Sequence, residues 1–460
     1  QLPPEARARL IDPLPAVGAV MTVLSALLSR VGRFSSFFLV NGRLAGFFQY
    51  PNTFALFLLV GVVWILFRKR LDVFHLALLT VLTAGIALTG SRTVFLLLAA
   101  VLVYYIIWRR EKRDRMLILG LGVLLVAVTG VYALATGNLS SVARYLTTSA
   151  SSTTFLGRLL YYRDALPVIL RHPLGLGYTG YNALQGSFKT GVYHILHVHN
   201  DLLQIMLDVG WVPGLVFLWA VLRVFRRSSG EDPAARVLIL VMGLHCLFDF
   251  DMQFSAVAMV FVLVMSLGPS KDAALLRAPA GPWIGSSILA LLCLWMGAAS
   301  GMHYLKNDLA AVSIYPGYTE AWVEVIGEAD TAETMDRVAD RILGLNDQIS
   351  IAWSAKARAA FSRGEIGEMI DCKRRAIRLQ RYYVDEYTDY FDMLETGMLL
   401  YLQAGDEDSA RYCLQCLREI PDMIGSLEEE TSALGWRIQN QPVTHLPDSY
   451  MERLAAYDAY

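Results

Sequence analysis

Residues 194–201 read HILHVHND and stand at the start of a strongly apolar run, so three imidazoles, an amide and a carboxylate lie close together. Histidine titrates near neutral pH and can serve as a general base. Histidines two positions apart on extended backbone, such as His197 and His199, can instead share a zinc ion, with His194 nearby. A third interpretation is a hydrogen-bonded helix cap, because Asn200 and Asp201 are residue types that begin helices. We favour the base, since no cysteine accompanies the histidines.

Arginine recurs in the other polar segments of this half of the chain, which are NGRLAGFFQYPN (41–52), GSRT (90–93) and GRLLYYRDALPVILRHPLGLGYTGY (157–181). A guanidinium keeps its charge and binds phosphate through two parallel hydrogen bonds. Any single one of these arginines can be an interfacial residue that reaches toward lipid headgroups. Five on one membrane face favour a shared anion site, and they are Arg43, Arg92, Arg158, Arg163 and Arg171.

His245 and Asp249 are ionisable residues within an apolar stretch. Their i, i+4 spacing places them on one face of a helix that contains both. Ionisable groups at membrane depth face a cavity or a partner. The pair is therefore predicted either to orient catalytic groups or to close a helical hairpin, together with Asp251.

Two motifs do not indicate the sites that their letters resemble. GLGYTG (175–180) fits the glycine pattern of dinucleotide sites, but such a site follows a strand, whereas here an apolar helix and His172-Pro173 come before it. We predict a tight turn instead. Cys413 and Cys416 form a C-x-x-C with no second pair at zinc spacing. We predict that they are neighbours on one helix and that the chain has no metal site.

The composition requires a membrane. Hydrophobic residues make up 55% of the 460 residues and charged residues 18%, whereas soluble proteins have about 45–50% and about 25%. Residues 1–300 contain 25 Lys+Arg and 13 Asp+Glu, while residues 301–460 contain 15 and 28. The sequence therefore predicts an all-α chain with two domains, a polytopic membrane helix bundle over 1–300 and a soluble helical domain over 301–460.

A membrane-spanning helix needs about 20 mainly apolar residues. Residues 237–267 are too long for one span and are interrupted by DFDMQ, so we expect two helices that meet at a polar turn. The chain begins at Gln1, and we expect further helices upstream of it. The other predicted spans are 53–67, 73–89, 94–108, 116–136, 202–225 and 283–299, with a partly amphipathic candidate at 17–31.

The orientation of these helices follows from the basic loops, which favour the cytoplasm. RKR (68–70), RREKRDR (109–115) and RVFRRSSGEDPAAR (223–236) are such loops. Alternation then places TGSRT (89–93) and the long loop 138–200 outside. If 237–267 is a hairpin, the linker 268–282 returns to the cytoplasm and the helix 283–299 carries the tail outside.

The tail has an internal repeat. Trp322 and Trp353 are 31 residues apart, and Leu345 and Leu379 are 34 apart. Helix pairs at a period near 34 are typical of tetratricopeptide solenoids. Such solenoids bind other molecules through extended surfaces, so we expect the tail to bind acceptor or partner proteins.

The polar segments, taken in order, resemble the O-antigen ligase and polysaccharide polymerase superfamily. R-x-x-G-x-F-x-x-P-N-x-x-A runs from Arg43 to Ala55, and S-R-T follows at 91–93. G-R, R-D-A-L and H-P-L-G-x-G come next, before H-x-H-N-D-x-L-Q and D-x-G at 197–210. The resemblance covers about residues 40–270, and some members also have a tetratricopeptide-like tail.

This resemblance implies a GT-C-like, metal-independent glycosyltransferase without a cofactor. The donor would be a glycan on undecaprenyl diphosphate at the outer face of the bacterial cytoplasmic membrane, and the acceptor a lipid, a glycan or a protein. His199 would be the base, Arg92 and Arg158 would hold the diphosphate, and Arg43 would line the site. The supporting residues would be His197, Arg163 and Asn200, to which we add His245 and Asp249 for their place in the membrane.

Two other functions remain open. A transporter or flippase of the same lipid-linked glycans would bind phosphate without chemistry, and it predicts charged residues throughout the membrane and an internal helix repeat. The predicted spans are nearly free of charge and the polar groups crowd one face, which favours the enzyme. A membrane-anchored assembly scaffold needs one helix, but this sequence predicts at least seven. No feature indicates a nucleic-acid partner.

Overall fold

A computed structural model describes residues 4–68, 71–108, 112–135, 153–228, 233–267 and 281–458. These residues are mostly helical, as predicted. Two short strands, β1 (Leu39–Val40) and β2 (Arg43–Leu44), form an antiparallel hairpin, and 3-10 turns lie at Gly46–Phe48, Asp251–Gln253 and Gly435–Arg437. The helices are α1 (Pro4–Ile11), α2 (Leu14–Leu28), α3 (Gly32–Phe38), α4 (Pro51–Arg68), α5 (Val73–Thr89), α6 (Arg92–Trp108), α7 (Lys112–Ala135), α8 (Thr153–Arg171), α9 (Gly180–Phe188), α10 (Asp201–Val209), α11 (Trp211–Arg227), α12 (Pro233–Cys246), α13 (Ser255–Ser266), α14 (Gly281–Tyr304), α15 (Asp308–Ile314), α16 (Thr319–Gly327), α17 (Ala332–Leu345), α18 (Ser350–Ser362), α19 (Ile366–Leu379), α20 (Val384–Ala404), α21 (Glu407–Gly425), α22 (Leu427–Glu430) and α23 (Asp448–Asp458).

The chain forms two compact units, and each is discontinuous in sequence. Unit 1 comprises Gln1–Tyr178 and His197–Ala273, and unit 2 comprises Thr179–Leu196 and Ala274–Tyr460. Part of the predicted outer loop 138–200 therefore belongs to the same unit as the tail. Residues 136–152 of that region lie outside the described residues, as do parts of the basic loops and residues 268–280 of the predicted linker.

Unit 1 is built around α4. Its sequence PNTFALFLLVGVVWILFR is apolar on every face, and nearly all of its side chains are buried. A helix that is apolar all round is buried on all sides, and here α2, α5, α6 and α12 surround it. Among the described residues, three helical stretches are long and apolar enough to cross a membrane: Ala6–Leu28, Pro51–Arg68 and Ile284–Tyr304.

The predicted single span at 202–225 is wrong. The structure divides it into α10 and α11 at Gly210, whose φ of +100° is a conformation that other residues rarely adopt. A Cβ at this position would also collide with the Pro173 carbonyl oxygen. The chain breaks here because the turn after α8 packs directly against the backbone at the end of α10.

Two other predictions about local structure are confirmed. The glycines of GLGYTG form a turn, with φ of +78° at Gly175 and +82° at Gly177. The amides of Leu176 and Gly177 donate to the Leu207 and Asp208 carbonyls, at 2.6 and 3.0 Å. Residues 237–267 form the expected hairpin of α12 and α13, with the 3-10 turn Asp251–Gln253 between them.

The tail of unit 2 consists of successive packed helices from α15 to α21. The predicted repeat has a structural counterpart, since the indoles of Trp322 and Trp353 each donate to a carbonyl six residues upstream, at 2.9 and 2.7 Å. An arginine of the following helix lies over each ring, Arg341 at 6.0 Å and Arg375 at 5.8 Å. A tetratricopeptide solenoid stays a prediction. Cys413 and Cys416 are buried neighbours on α21, as expected.

Candidate active site

Asp249 is the centre of a polar cluster in unit 1. Its carboxylate side chain is 2% exposed. The Oδ1 atom accepts from the Tyr50 hydroxyl at 2.7 Å and lies 3.2 Å from His199 Nδ1. The Oδ2 atom accepts from Asn52 Nδ2 at 2.7 Å and from Arg158 Nη2 at 3.3 Å. We call Asp249 and these four partners the Asp249 cluster.

Four separate elements supply this cluster. Asp249 lies in the turn after α12, and Tyr50 and Asn52 lie at the start of α4. Arg158 projects from α8, and His199 comes just before α10. The buried carboxylate is stable there because charge-assisted donors replace the water that it has lost.

Electrostatics keep Asp249 ionised. Burial by itself raises the pKa of a carboxyl group, but the hydrogen bond with His199 and the charge of Arg158 hold the pKa of Asp249 well below its usual range. Burial and the neighbouring Asp249 charge raise the pKa of Tyr50 far above its usual value. The Tyr50 hydroxyl therefore stays protonated and donates to the carboxylate.

The geometry of His199 suits a general base. Its Nδ1 faces the Asp249 carboxylate, so in the neutral imidazole Nδ1 carries the proton and Nε2 is the acceptor. Among the described residues, Nε2 has no recorded hydrogen-bond partner, and the side chain is 23% exposed. The rings of Tyr161 and Phe250 lie 6.1 and 4.9 Å from the imidazole and hold its orientation.

The backbone of His199 is in an unusual conformation. Its φ is +53°, in the left-handed region that a non-glycine residue adopts at a cost of about 1–3 kcal/mol. The Tyr162 hydroxyl donates to the His199 carbonyl at 2.6 Å and so helps to hold this conformation. Strain of this kind persists only where the surroundings impose it, which is common at functional sites.

The β1–β2 hairpin places Arg43 beside this cluster. Asn41 and Gly42 both have positive φ, the conformation that a two-residue hairpin turn requires. Arg43 Nε donates to the Thr89 carbonyl at 2.7 Å, and its Nη2 donates to Asn52 Oδ1 at 2.6 Å. Asn52 thereby connects Arg43 to Asp249.

Arg92 is the first residue of α6. It follows the turn at Thr89, whose carbonyl accepts from Arg43. The end of α5 and the start of α4 are therefore both linked to Arg43, although they are distant in the sequence.

A second network lies beside the first. His245 Nδ1 pairs with Asp251 Oδ2 at 2.5 Å, and the Thr53 hydroxyl donates to Asp251 Oδ1 at 2.7 Å. The expectation that His245 and Asp249 share one helix face is wrong, because α12 ends at Cys246, three residues before Asp249. His245 instead orients the neighbouring carboxylate.

One group of potential metal ligands lies in this region. Among the described residues, Asp201, Cys246 and Asp251 each offer a ligand atom within 4.8 Å of the others, and all are buried. Hydrogen bonds already account for these carboxylates, since Asp251 accepts from Thr53 and Asp201 accepts from the Met252 amide at 3.1 Å. Of the three histidines of the zinc alternative, His194 belongs to unit 2, and His197 and His199 belong to unit 1.

Asp201 predicts a pH-dependent stability. Burial and the nearby Asp251 raise the pKa of Asp201 to about 8. Because its folded pKa exceeds the unfolded value of about 3.9, the folded state favours the neutral acid, and the free energy of unfolding falls as pH rises between about 4 and 8. Asp201→Asn should flatten this dependence.

The measurement is the thermal unfolding midpoint in nanodiscs from about pH 6 to about pH 8.5. Asp330→Asn, at an exposed aspartate, serves as the control. It should show the same dependence of the unfolding midpoint on pH as the wild type. If Asp201→Asn has the same slope as the wild type, Asp201 is not the source of the pH-dependent stability.

The remaining predicted residues have different surroundings. Asn200 caps α10 by accepting from the Leu203 amide at 3.0 Å, which confirms the helix-cap interpretation for this residue, and its Nδ2 donates to the Leu247 carbonyl. His197 is buried against the Phe250 ring at 5.2 Å. Arg163 is exposed on α8 and has no recorded contact with the Asp249 cluster.

Sequence reasoning missed Tyr50, Asn52 and Tyr162 as parts of the site. Tyr50 and Asn52 flank Pro51, within the motif that contains Arg43. The signal was a tyrosine and an amide at the start of an otherwise apolar helix. No spacing rule connects them to Asp249, which lies 199 residues after Tyr50.

Comparison with known proteins supports a family for part of the chain. No curated protein and no solved structure matches it. The model of the O-antigen ligase family matches residues 76–219, which include Arg92, Arg158 and His199. This match supports the O-antigen ligase superfamily, and residues 76–219 are similar to an O-antigen ligase domain.

Proposed function

We propose that this protein transfers a glycan from undecaprenyl diphosphate to an acceptor hydroxyl at the outer face of the bacterial cytoplasmic membrane, without a metal ion. The observation that carries the proposal is the Asp249 cluster. It joins a histidine with an available Nε2 to Arg158 and, through Asn52, to Arg43. A base and fixed cations in one place are what a displacement of a diphosphate requires.

The reaction is a single displacement. His199 Nε2 takes the proton of the acceptor hydroxyl as its oxygen forms a bond to the anomeric carbon. The bond between that carbon and the phosphate oxygen breaks, and the lipid diphosphate leaves with the electron pair. Arg158, Arg92 and Arg43 stabilise the negative charge that gathers on the diphosphate. The product then has the inverted anomeric configuration.

The location of the cluster suits an amphipathic donor. Asn52 lies at the start of the buried helix α4, and Thr89 lies at the end of α5, so their link through Arg43 marks one end of both helices. A donor with a long lipid chain and a polar head needs apolar walls beside polar groups. The ends of apolar helices supply this combination at a membrane surface.

The partners follow from the same chemistry. The donor is the lipid-linked glycan, and the acceptor is a hydroxyl of a glycan, a lipid or a protein. The helical tail of residues 301–460 binds an acceptor or a protein partner and lies on the outer side of the membrane. Ligation and polymerisation use the same displacement and differ only in the acceptor.

Arg158→Ala should lower transfer about 10²–10³-fold, because it removes a fixed donor that faces developing charge. The assay is transfer from a fluorescent undecaprenyl-diphosphate glycan in nanodiscs, measured in parallel without and with EDTA. Arg226→Ala is the matched control, since Arg226 is an exposed arginine in the last turn of α11, in a loop that is predicted to be cytoplasmic. It should retain wild-type transfer.

The other outcomes are also informative. Loss of wild-type transfer on addition of EDTA would contradict the metal-free reaction and direct attention to Asp201, Cys246 and Asp251. Equal transfer by both arginine variants would contradict the role of Arg158. Donor binding by the wild type without transfer to any acceptor would support a transporter of lipid-linked glycans instead.

A further inference from the structure

The segment of residues 179–196 is bound to the helical tail within unit 2, through contacts between residues that are 194 and 242 positions apart in the sequence. Arg381, just after α19, donates from Nη2 to the Ser187 carbonyl. Its Nη1 donates to Glu430 Oε2 at 2.6 Å, which holds the guanidinium in place. The segment is therefore hydrogen-bonded to an arginine of the tail, and a glutamate of the tail fixes the position of that arginine.

Ser432 makes a second attachment, and it involves the backbone. Its amide donates to the Thr190 carbonyl at 3.0 Å, and the Thr190 hydroxyl donates to Ser432 Oγ at 3.0 Å. A Cβ at Gly435 would collide with the same Thr190 carbonyl oxygen, and a Cβ at Gly186 would collide with the Leu379 carbonyl oxygen. Backbone approaches backbone at both places, so the fit is close.

Lys189 lies buried in this contact and is 6% exposed. Its ammonium donates to the Tyr193 carbonyl at 2.9 Å and lies 5.8 Å from the centre of the Tyr382 ring of the tail. Burial and the charge of Arg381 lower the pKa of Lys189 to about 8. A lysine is buried only where specific partners compensate for lost water, so this contact is specific.

The segment also carries this restraint toward His199. Gln185 Oε1 accepts from the Ile195 amide at 3.0 Å, and Gln185 Nε2 donates to the Ile195 carbonyl at 2.9 Å. These two bonds connect helix α9 to the end of the segment. The chain leaves unit 2 after Leu196 and enters unit 1 at His197. Ile195, four positions before His199, is therefore bonded to Gln185, which directly precedes Gly186 at the contact with the tail.

We propose that the helical tail positions the loop that contains His199, with Arg381 and Ser432 as the positioning residues. Docking of segment 179–196 on the tail restrains the residues that lead directly to His199. The proposal also requires the tail and this segment to lie on the same side of the membrane. Its effect on transfer rests on the proposed function, whereas the docking itself does not.

Docking is tested by a cross-link in the full chain in native membranes. The side-chain oxygens of Thr190 and Ser432 lie 3.0 Å apart, so Thr190→Cys together with Ser432→Cys should form a disulfide on mild oxidation. Unfolding in the presence of a polyethylene-glycol maleimide should then add two fewer groups than without oxidation. Each single substitution is a control for the native cysteines. Absence of the cross-link would overturn the proposal.

Positioning is tested by hydrogen–deuterium exchange and by kinetics. Arg381→Ala should raise amide exchange in residues 185–199 at least about tenfold, since it releases the local restraint, and Arg381→Lys should restore part of the protection. Arg358→Ala is the matched control, because Arg358 pairs with Asp389 at 3.2 Å elsewhere in the tail. Equal exchange in the alanine variants would overturn the positioning role.

In the transfer assay, Arg381→Ala should lower kcat about tenfold and change the donor KM little. A change in KM alone, or equal kcat for Arg381→Ala and Arg358→Ala, would contradict a role in positioning. A wild type without transfer activity would contradict the proposed function, while the cross-link and exchange results would still decide whether the tail holds the segment.

Discussion

His199→Ala should lower glycan transfer by about 10²–10⁴-fold, the usual contribution of a general base. The substitution removes the only imidazole whose Nε2 is available beside Asp249 and Arg158 among the described residues. Donor binding should persist, because the arginines remain. The measurement is single-turnover transfer in nanodiscs at saturating donor, with donor affinity determined in parallel.

A matched control distinguishes this loss from a general effect of removing a histidine. His75 Nδ1 also faces a carboxylate, that of Asp72, at 2.7 Å. His75→Ala should retain transfer, since His75 lies at the start of α5, the end of that helix opposite Thr89. Undiminished transfer by the His199 variant would exclude it as the base even if the family resemblance holds.

Asp249→Asn should lower glycan transfer at least as much as His199→Ala, for two reasons. The amide has one oxygen where the carboxylate had two. Its NH₂ group would face the donors of Asn52 and Arg158, from which it cannot accept a hydrogen bond. Removing one partner of a buried ion pair costs about 3–5 kcal/mol of folding free energy. Loss of the acceptor for Nδ1 also frees the His199 imidazole to take the wrong tautomer, so transfer should fall about 10²–10⁴-fold.

The control for this variant is Asp308→Asn. Asp308 is a buried aspartate that accepts from His303 Nδ1 at 2.5 Å, within unit 2. Its substitution should lower stability without a comparable loss of transfer in the protein that remains folded. If both variants lose stability and activity in proportion, Asp249 has a structural role and does not orient the base.

Asp249 has a role that the sequence alone did not supply. Its spacing from His245 indicated a shared helix face, but the helix ends at Cys246 and the two residues join different networks. Asp249 pairs with the predicted base, and Asp251 pairs with His245. Within DFDMQ, Asp249 lies before the 3-10 turn and Asp251 is its first residue.

Some features follow from the sequence because their causes are local. Apolar runs predicted the helices of unit 1, since every backbone group in such a run must be satisfied within its own helix. The positive-φ turn at GLGYTG and the cap at Asn200 follow from residue types whose side chains and backbone act on their neighbours. Arg43, Arg158 and His199 were candidates by residue type, and the family resemblance implied their roles.

Other features depend on pairings between distant residues, for which no local rule exists. Asn52 meets Asp249 across 197 positions, and Arg381 meets Ser187 across 194. The break at Gly210 was also hidden, because its cause is the Pro173 backbone on another element. Residue types and apolar runs were enough to indicate the groups that are able to do chemistry and most of the helical segments. The carboxylate that pairs with His199 and the part of the loop that contacts the tail depend on the fold, because burial selects partners by packing in space and not by spacing along the chain.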